Sequence, residues 1–236
     1  MGCGFSKKKE GDVSFSVKEY NGGWRDSSSI IIPSTCHGEP VTSIGDRAFY
    51  NHTELENIAI PSSITSIGDY AFYGCSKLTS ITIPSSVTSI GDDAFYGCSG
   101  LTSITIPDSV VSIGSDAFKG CSGLKSITIP KGVTSIGPEA FYGCNNLSIV
   151  FAEGTTEIPG FGDRILPWGD SGITSVAIPS SVISIGNYAF YGCSGLTSIV
   201  YTGTKAQWNS IQKNTPWDYK TGDYIIHCTD GDISKN

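Results

Sequence analysis

From Leu78 to Gly100 apolar and polar positions follow an order that then begins again: LTSITIPSSVTSIGDDAFYGCSG is succeeded at Leu101–Gly123 by LTSITIPDSVVSIGSDAFKGCSG. Leu55–Lys77, Leu124–Asn146 and Ile173–Gly195 carry the same pattern. A fixed period in the twenties marks a solenoid, in which each unit covers the open core face of its neighbour. Within one unit, Ile81 and Ile83 alternate with Ser80 and Thr82, which predicts a short strand with one face buried. Pro84 stops ladder pairing and turns the chain, and Val87 and Ile90 point inward on the next side. Gly91 is expected to take a positive φ at a corner, Asp92 to cap a short helical turn carrying Ala94 and Phe95, and Gly97 to end that turn. Roughly eight inward positions per coil then stack, with strands about 4.8 Å apart along the axis.

The pattern also shows where the array starts, breaks and stops. Ile30-Ile31-Ile32-Pro33 matches Ile58-Ala59-Ile60-Pro61, an insertion around Thr35–Pro40 adds five residues, and Val41–Gly45 resumes the unit, with His52 where later copies have Cys. Leu147–Gly172 starts in register, then abandons the GxxAFxGC run for a segment containing Phe161, Arg164, Leu166 and Trp168. From Leu196 the unit opens once more as LTSIVYTGT and diverges; Trp208, Trp217 and Tyr224–Ile226 suit a lid over the last coil. At the other end Val13–Tyr20 alternates, predicting a strand over the first coil, with Trp24 closing the apolar end. The expected organisation is therefore a flexible tail at 1–12, an N-terminal cap at 13–26, repeats over 27–195 with an irregular one at 147–172, and a C-terminal cap at 196–236. About seven coils of 23 residues result.

Composition narrows the function. A net charge of −7 argues against nucleic acid, since phosphate binding needs a basic face. No run approaches the eighteen apolar residues of a spanning helix, and no apolar signal segment follows Met1. The eight cysteines are not a disulfide framework, because Cys75, Cys98, Cys121, Cys144 and Cys193 all occupy one place in the repeat. That recurrence describes a small apolar residue filling the same core pocket in each coil. No CxxC or HxxxH spacing offers paired metal ligands, and no nucleophile elbow, HExxH or phosphate loop occurs. The chain reads as a non-enzyme without a cofactor.

The unit LxSIxIPxxVxSIGxxAFxGC resembles the BspA-type, or treponemal, leucine-rich repeat over roughly Ser27 to Gly203, and the ends IIIPSTCHGEPVTSIGDRAF and IVYTGTKAQWNSI resemble the family's too. The resemblance implies a right-handed leucine-rich-repeat solenoid of α/β repeat class, with parallel β-strands and short helical turns. It also implies a non-enzymatic cell-surface or secreted protein that binds another protein, with adhesion as its role.

Several features compete as the binding surface. Ser80/Thr82, Ser103/Thr105 and Ser126/Thr128 stack outward as a polar face, either a flat binding surface, down to ordered water or ice, or simply β-favouring solvent positions. Tyr50, Tyr73, Tyr96, Tyr142 and Tyr191 form a second row interrupted by Lys119, either an anchor for a protein or glycan or a structural stack. The segment Phe161–Asp170, with Phe161, Arg164 and Trp168, is either a projecting recognition loop or a bulge that tucks Trp168 into the core. Met1-Gly2-Cys3-Gly4-Phe5-Ser6 fits an N-myristoylation signal at Gly2, with Cys3 for a palmitoyl chain and Lys7–Lys9 as a basic patch. The alternatives there are a lipoprotein anchored at Cys3 and a bare flexible tail. Membrane association is expected only through such a lipid, which would make the protein an inner-leaflet or cytoplasmic scaffold, and the chain is expected to be monomeric.

Overall fold

A computed structural model of the chain describes the backbone at residues 5–7 and 15–17, and all atoms at 28–161, 168 and 172–235. It is a parallel-strand β-solenoid of about eight turns, each of ~23 residues. The first side carries short strands that pair parallel and in register: Ser80 opposite Ser103, Ser126 opposite Ser148, Ser148 opposite Ser175, and Ser175 opposite Ser198. Alternation places Ile81 and Ile104 inward while Ser80, Thr82, Ser103 and Thr105 are exposed. After the proline corner a second ladder runs through Ser43, Ser66, Ser89, Ser112 and Ser135, again one coil apart.

The third side is held by neither strand nor helix. Phe72 N–H donates to Ala94 O of the next coil at 2.7 Å, Phe95 to Ala117 and Phe118 to Ala140 at the same distance, so the turns themselves form an axial ladder. These turns were expected to be helical; they are hydrogen-bonded turns because Asp93 (φ 54°) and Gly97 (φ 68°) are both left-handed and interrupt any helical run. Among the described residues the only α-helix is Lys205–Ser210, with a capping box between Thr204 and Gln207.

Two expected roles at this corner differ in the structure. Gly91 does not have a positive φ; a Cβ there would lie 2.5 Å from Asp69 Oδ1 and 2.6 Å from the Gly68 carbonyl carbon. Close approach of adjacent coils, not backbone handedness, demands glycine. Asp92 does not cap its own turn: its Oδ1 accepts from Ser115 N at 2.7 Å in the next coil, as Asp69 does from Asp92 N at 2.8 Å and Asp46 from Asp69 N at 3.0 Å. The aspartates stitch coils together.

Inside, Leu78, Ile81, Ile83, Val87, Ile90, Ala94, Phe95 and Cys98 of one coil are all buried, the eight inward positions read from the pattern. Phe49, Phe72, Phe95, Phe118 and Phe141 stack with centroids 5.1–5.4 Å apart and planes within 12°. The thiols of Cys75, Cys98, Cys121 and Cys144 each donate to the phenylalanine carbonyl of the preceding coil, Cys98 Sγ to Phe72 O at 3.1 Å and Cys121 Sγ to Phe95 O at 3.2 Å.

At the N-terminal end Phe15–Val17 pairs parallel with the strand Glu39–Ile44, extending the second ladder over the first coil. Phe5–Lys7, in the stretch read as a tail, pairs antiparallel with Phe15–Val17. The insertion is a tight hairpin, Thr35–Cys36 against Glu39–Pro40, turned by His37 (φ 53°) and Gly38 (φ 85°). At the C-terminal end the segment read as a lid completes a further turn, which is why about eight turns stand where the repeat pattern marked about seven. Gln212 and Lys213 pair with Ser184 and Ile185, and Phe190 N–H donates to Trp217 O at 2.8 Å. Trp208, Trp217 and Tyr224 bury against Tyr201 and Phe190 through edge-to-face contacts of 5.3–6.1 Å. The hairpin Ile225–Cys228/Gly231–Ser234 finishes the first side.

Candidate functional site

The tyrosine row lies on the third side, beside the buried phenylalanine stack. Because each tyrosine follows an inward phenylalanine on a turn repeated coil by coil, its ring is placed at the edge and its neighbours are set by the axial ladder. Tyr50, Tyr73 and Tyr96 stack at 4.8 and 4.6 Å with planes within 13°. Tyr50 and Tyr142 are each 39% exposed, while Tyr73, Tyr96 and Tyr191 are half-buried. Packing of Tyr73 against Tyr96 and Tyr50 raises its phenol pKa, burial being the first cause. Each ring is hydrophobic in body and polar at the tip.

Lys119 stands where the next tyrosine belongs. Its ammonium lies 2.7 Å from Asp116 and 2.6 Å from Glu139, which hold its pKa above the usual value, and 5.9 and 5.2 Å from the Tyr96 and Tyr142 ring centroids. A parallel column occupies the second position after the corner glycine: Arg47, Tyr70, Asp93, Asp116, Glu139. Arg47 sits over Tyr70 and Tyr50 at 5.3 and 6.0 Å. Tyr70 hydrogen-bonds Asp93, whose charge raises the Tyr70 pKa; the Asp93 carboxyl is itself raised by burial and by Asp116. Further along, Tyr191, Tyr188, Tyr219 and Pro216 line a shallow cleft of about 360 Å³, and Lys220 lies 5.6 and 5.7 Å from the Tyr191 and Tyr219 centroids.

The irregular coil contributes to the core rather than to this edge. Trp168 is 1% exposed, stacks on Phe141 at 5.2 Å and donates its indole N–H to Ala189 O at 2.7 Å. It stands in for the missing phenylalanine. Phe161 is 9% exposed and packs edge-on against Trp168 at 6.4 Å. Burial withdraws both rings from any surface, while Arg164 lies outside the described residues, as do Gly2 and Cys3. His52 is buried edge-on to Phe49 at 6.0 Å, in the place later filled by cysteine. Sequence reasoning missed the Arg47–Glu139 column; its signal was the variable second residue after the corner glycine in each copy.

Among the described residues, no group of three or more His, Cys, Asp or Glu is arranged to hold a metal ion, and no helix is long and apolar enough to cross a membrane. Comparison with curated proteins gives no match. Among solved structures, a leucine-rich repeat protein of T. pallidum superposes with a TM-score of 0.69 at 26% identity, over 92% of this chain and 94% of that one. A leucine-rich repeat protein of Bacteroides ovatus gives 0.54 at 30% identity, over 94% and 69%. The pneumococcal vaccine antigen PcpA shares the fold, with a TM-score of 0.55 at 18% identity over 92% and 66%. A profile of the BspA type leucine rich repeat region matches in six copies across residues 42–161 and 168–215. With the register, the phenylalanine stack and the corner thiols already in place, that match shows that the chain belongs to the BspA-type leucine-rich repeat family.

Proposed function

We propose that this chain is a protein-binding module whose interface is the tyrosine edge from Tyr50 to Tyr142, acting as a monomer in adhesion at a cell surface. Leucine-rich repeat domains generally mediate protein interactions, and the family and fold are generally non-enzymatic. The observation that carries the reading is the row itself: aromatic rings at a fixed pitch, part exposed, on an edge whose backbone is locked coil to coil. Rigid tyrosines supply contact area at little entropic cost, which is what a protein or glycan surface exploits. The outward Ser/Thr face lacks such anchors, since Ser80, Thr82, Ser103 and Thr105 present short side chains to water.

Peptides selected from a random display library on immobilised wild-type protein test the reading. Replacing Tyr73, Tyr96 and Tyr142 together by Ser is expected to weaken the selected peptides at least about tenfold, the loss of two or three aromatic anchors, with an unchanged circular dichroism spectrum. Undiminished binding by that variant removes the edge as the interface.

A further inference from the structure

We propose that the second side carries a peptide-binding slot between the coil at residues 133–137 and the coil at 155–160, which takes an extended segment of a partner chain as one more rung of the ladder. The slot lies apart from the tyrosine edge and stands whether or not that edge binds. Its origin is in the sequence. Leu147 is followed directly by Ser148, where Leu101 and Leu124 each have one residue before the serine, and Pro159 occupies the place of the corner glycine held by Gly137 and Gly186 in the coils on either side. Elsewhere that glycine donates its N–H to the isoleucine carbonyl of the preceding coil, from Gly68, Gly91, Gly114, Gly137 and Gly186, at 2.8–3.0 Å. Proline has no N–H to give.

The second ladder parts at this point. Among the described residues Ser135–Ile136 pairs only with Ser112–Ile113, and Glu157–Ile158 only with Ser184–Ile185. Thr134 N–H donates one coil back to Val111 O at 2.9 Å, and Ile183 N–H to Thr156 O at 2.8 Å, but among the described residues no such bond joins Thr156 or Glu157 to Thr134. The carbonyls of Thr134 and Ile136 on one lip and the amides of Thr156 and Glu157 on the other therefore face a cleft of about 410 Å³, whose walls include Lys131, Val133, Glu157 and Pro159. Exposure records the same opening. Ser135 is exposed where Ser66, Ser89, Ser112 and Ser184 are half-buried, and Val133 is 7% exposed where Val87 and Val110 are 0%.

Open strand edges are templates for extended backbone. A segment running parallel to the coils gives N–H groups to the Thr134 and Ile136 carbonyls and accepts from the Thr156 and Glu157 amides, the bonds that the neighbouring coil junctions make for themselves. Ile136 and Ile158 stay buried beneath the slot, so the segment's inward side chains are small. Charge sets its direction. Lys131, where the chain enters the coil, already lies 3.9 Å from Asp108 of the preceding coil, and an acidic residue at the N-terminal end of the segment meets the same ammonium from the open side. The partner is thus an extended segment of small residues led by a carboxylate.

Fluorescence anisotropy with the labelled peptide Asp-Ser-Ala-Thr-Ser-Ala-Gly, and with the same peptide N-methylated at its threonine and final glycine, is the test, together with amide hydrogen exchange read by NMR. In the free protein the Thr156 and Glu157 amides are expected to exchange faster than those of Thr134 and Ile183, and the peptide is expected to slow them. N-methylation is expected to weaken binding at least about tenfold, through loss of two backbone donors. Lys131→Glu is expected to weaken it as well, and so is Pro159→Gly, which gives the Ile136 carbonyl a donor from its own chain. Replacing Tyr73, Tyr96 and Tyr142 together by Ser is expected to leave binding of this peptide unchanged, which separates the slot from the tyrosine edge. Slow exchange of Thr156 and Glu157 in the free protein overturns the inference, as do absence of binding, equal binding of the methylated peptide, and binding that leaves those two amides unprotected. Loss of binding in the tyrosine variant overturns it too, by moving the peptide to the edge.

Discussion

The corner thiol illustrates how one residue type meets several demands at once. Cys98 must fit a pocket against Phe95, stay apolar, and still answer the Phe72 carbonyl, which it does through a weak S–H donor at 3.1 Å. Burial pushes the thiols of Cys75, Cys144 and Cys193 up to about 12 from an ordinary 9.0, and those of Cys98 and Cys121 well above it. The folded protein therefore keeps these protons where the unfolded chain releases them. Stability from this source is present well below pH 9 and is lost progressively as pH rises toward 12. Urea denaturation between pH 9 and 11 is expected to show a shallower fall of stability with pH for each of Cys98→Ala and Cys121→Ala than for the wild type. An identical slope contradicts the assignment. The glycine corner teaches a different lesson at this scale: the recurrence of Gly91 is plain in the sequence, but whether it serves handedness or close approach depends on the 2.6 Å that would separate its Cβ from the Gly68 carbonyl carbon.

At the scale of the coil, the period sets the register and the register sets everything else. Strands, core positions and the proline corners were legible because alternation and spacing act within one unit. The turns were not, because their hydrogen bonds run to the next coil, as Phe72 N to Ala94 O, and no local pattern records a partner one full coil away. Trp168 was legible only as an alternative between loop and core; its stacking on Phe141 depends on how an irregular segment is threaded. The Arg47–Glu139 column escaped because its members differ from copy to copy. Since each coil needs only its neighbours, removal of residues 79–101 joins Leu78 to Thr102 in unbroken pattern. That shortened chain is expected to fold, with Tm lowered by roughly 5 °C. Removal of 79–100, one residue fewer, leaves two leucines, Leu78 and Leu101, competing for one buried site at the join and is expected to lower Tm further. Circular dichroism melts of the two deletions decide it; equal behaviour would mean that register is not what holds the stack.

Across the molecule the three sides differ in what they present. The first offers short hydroxyls in its middle coils and exposed Ile31, Val200 and Ile225 toward its ends, the third offers rings and charge, and both ends are closed differently, by parallel pairing of Phe15–Val17 at one and by an aromatic cluster around Trp217 at the other. Core and surface thus separate: positions that repeat as apolar build the core, and positions that vary in charge from copy to copy, as from Arg47 to Glu139, lie at the edge of the third side. What joins the coils, however, is hydrogen bonding that runs along the axis on all three sides. A tension applied to the two termini loads those bonds end to end, so the coil at the end gives way before the ones behind it. Each release pays out about 75 Å of chain, a 23-residue coil at full extension less its own thickness. Optical-tweezers pulling is expected to record a staircase of such increments, and a single rip to full length would contradict it. A solenoid built this way behaves as a ripcord: under load it lengthens by steps while the coils beyond the break stay folded.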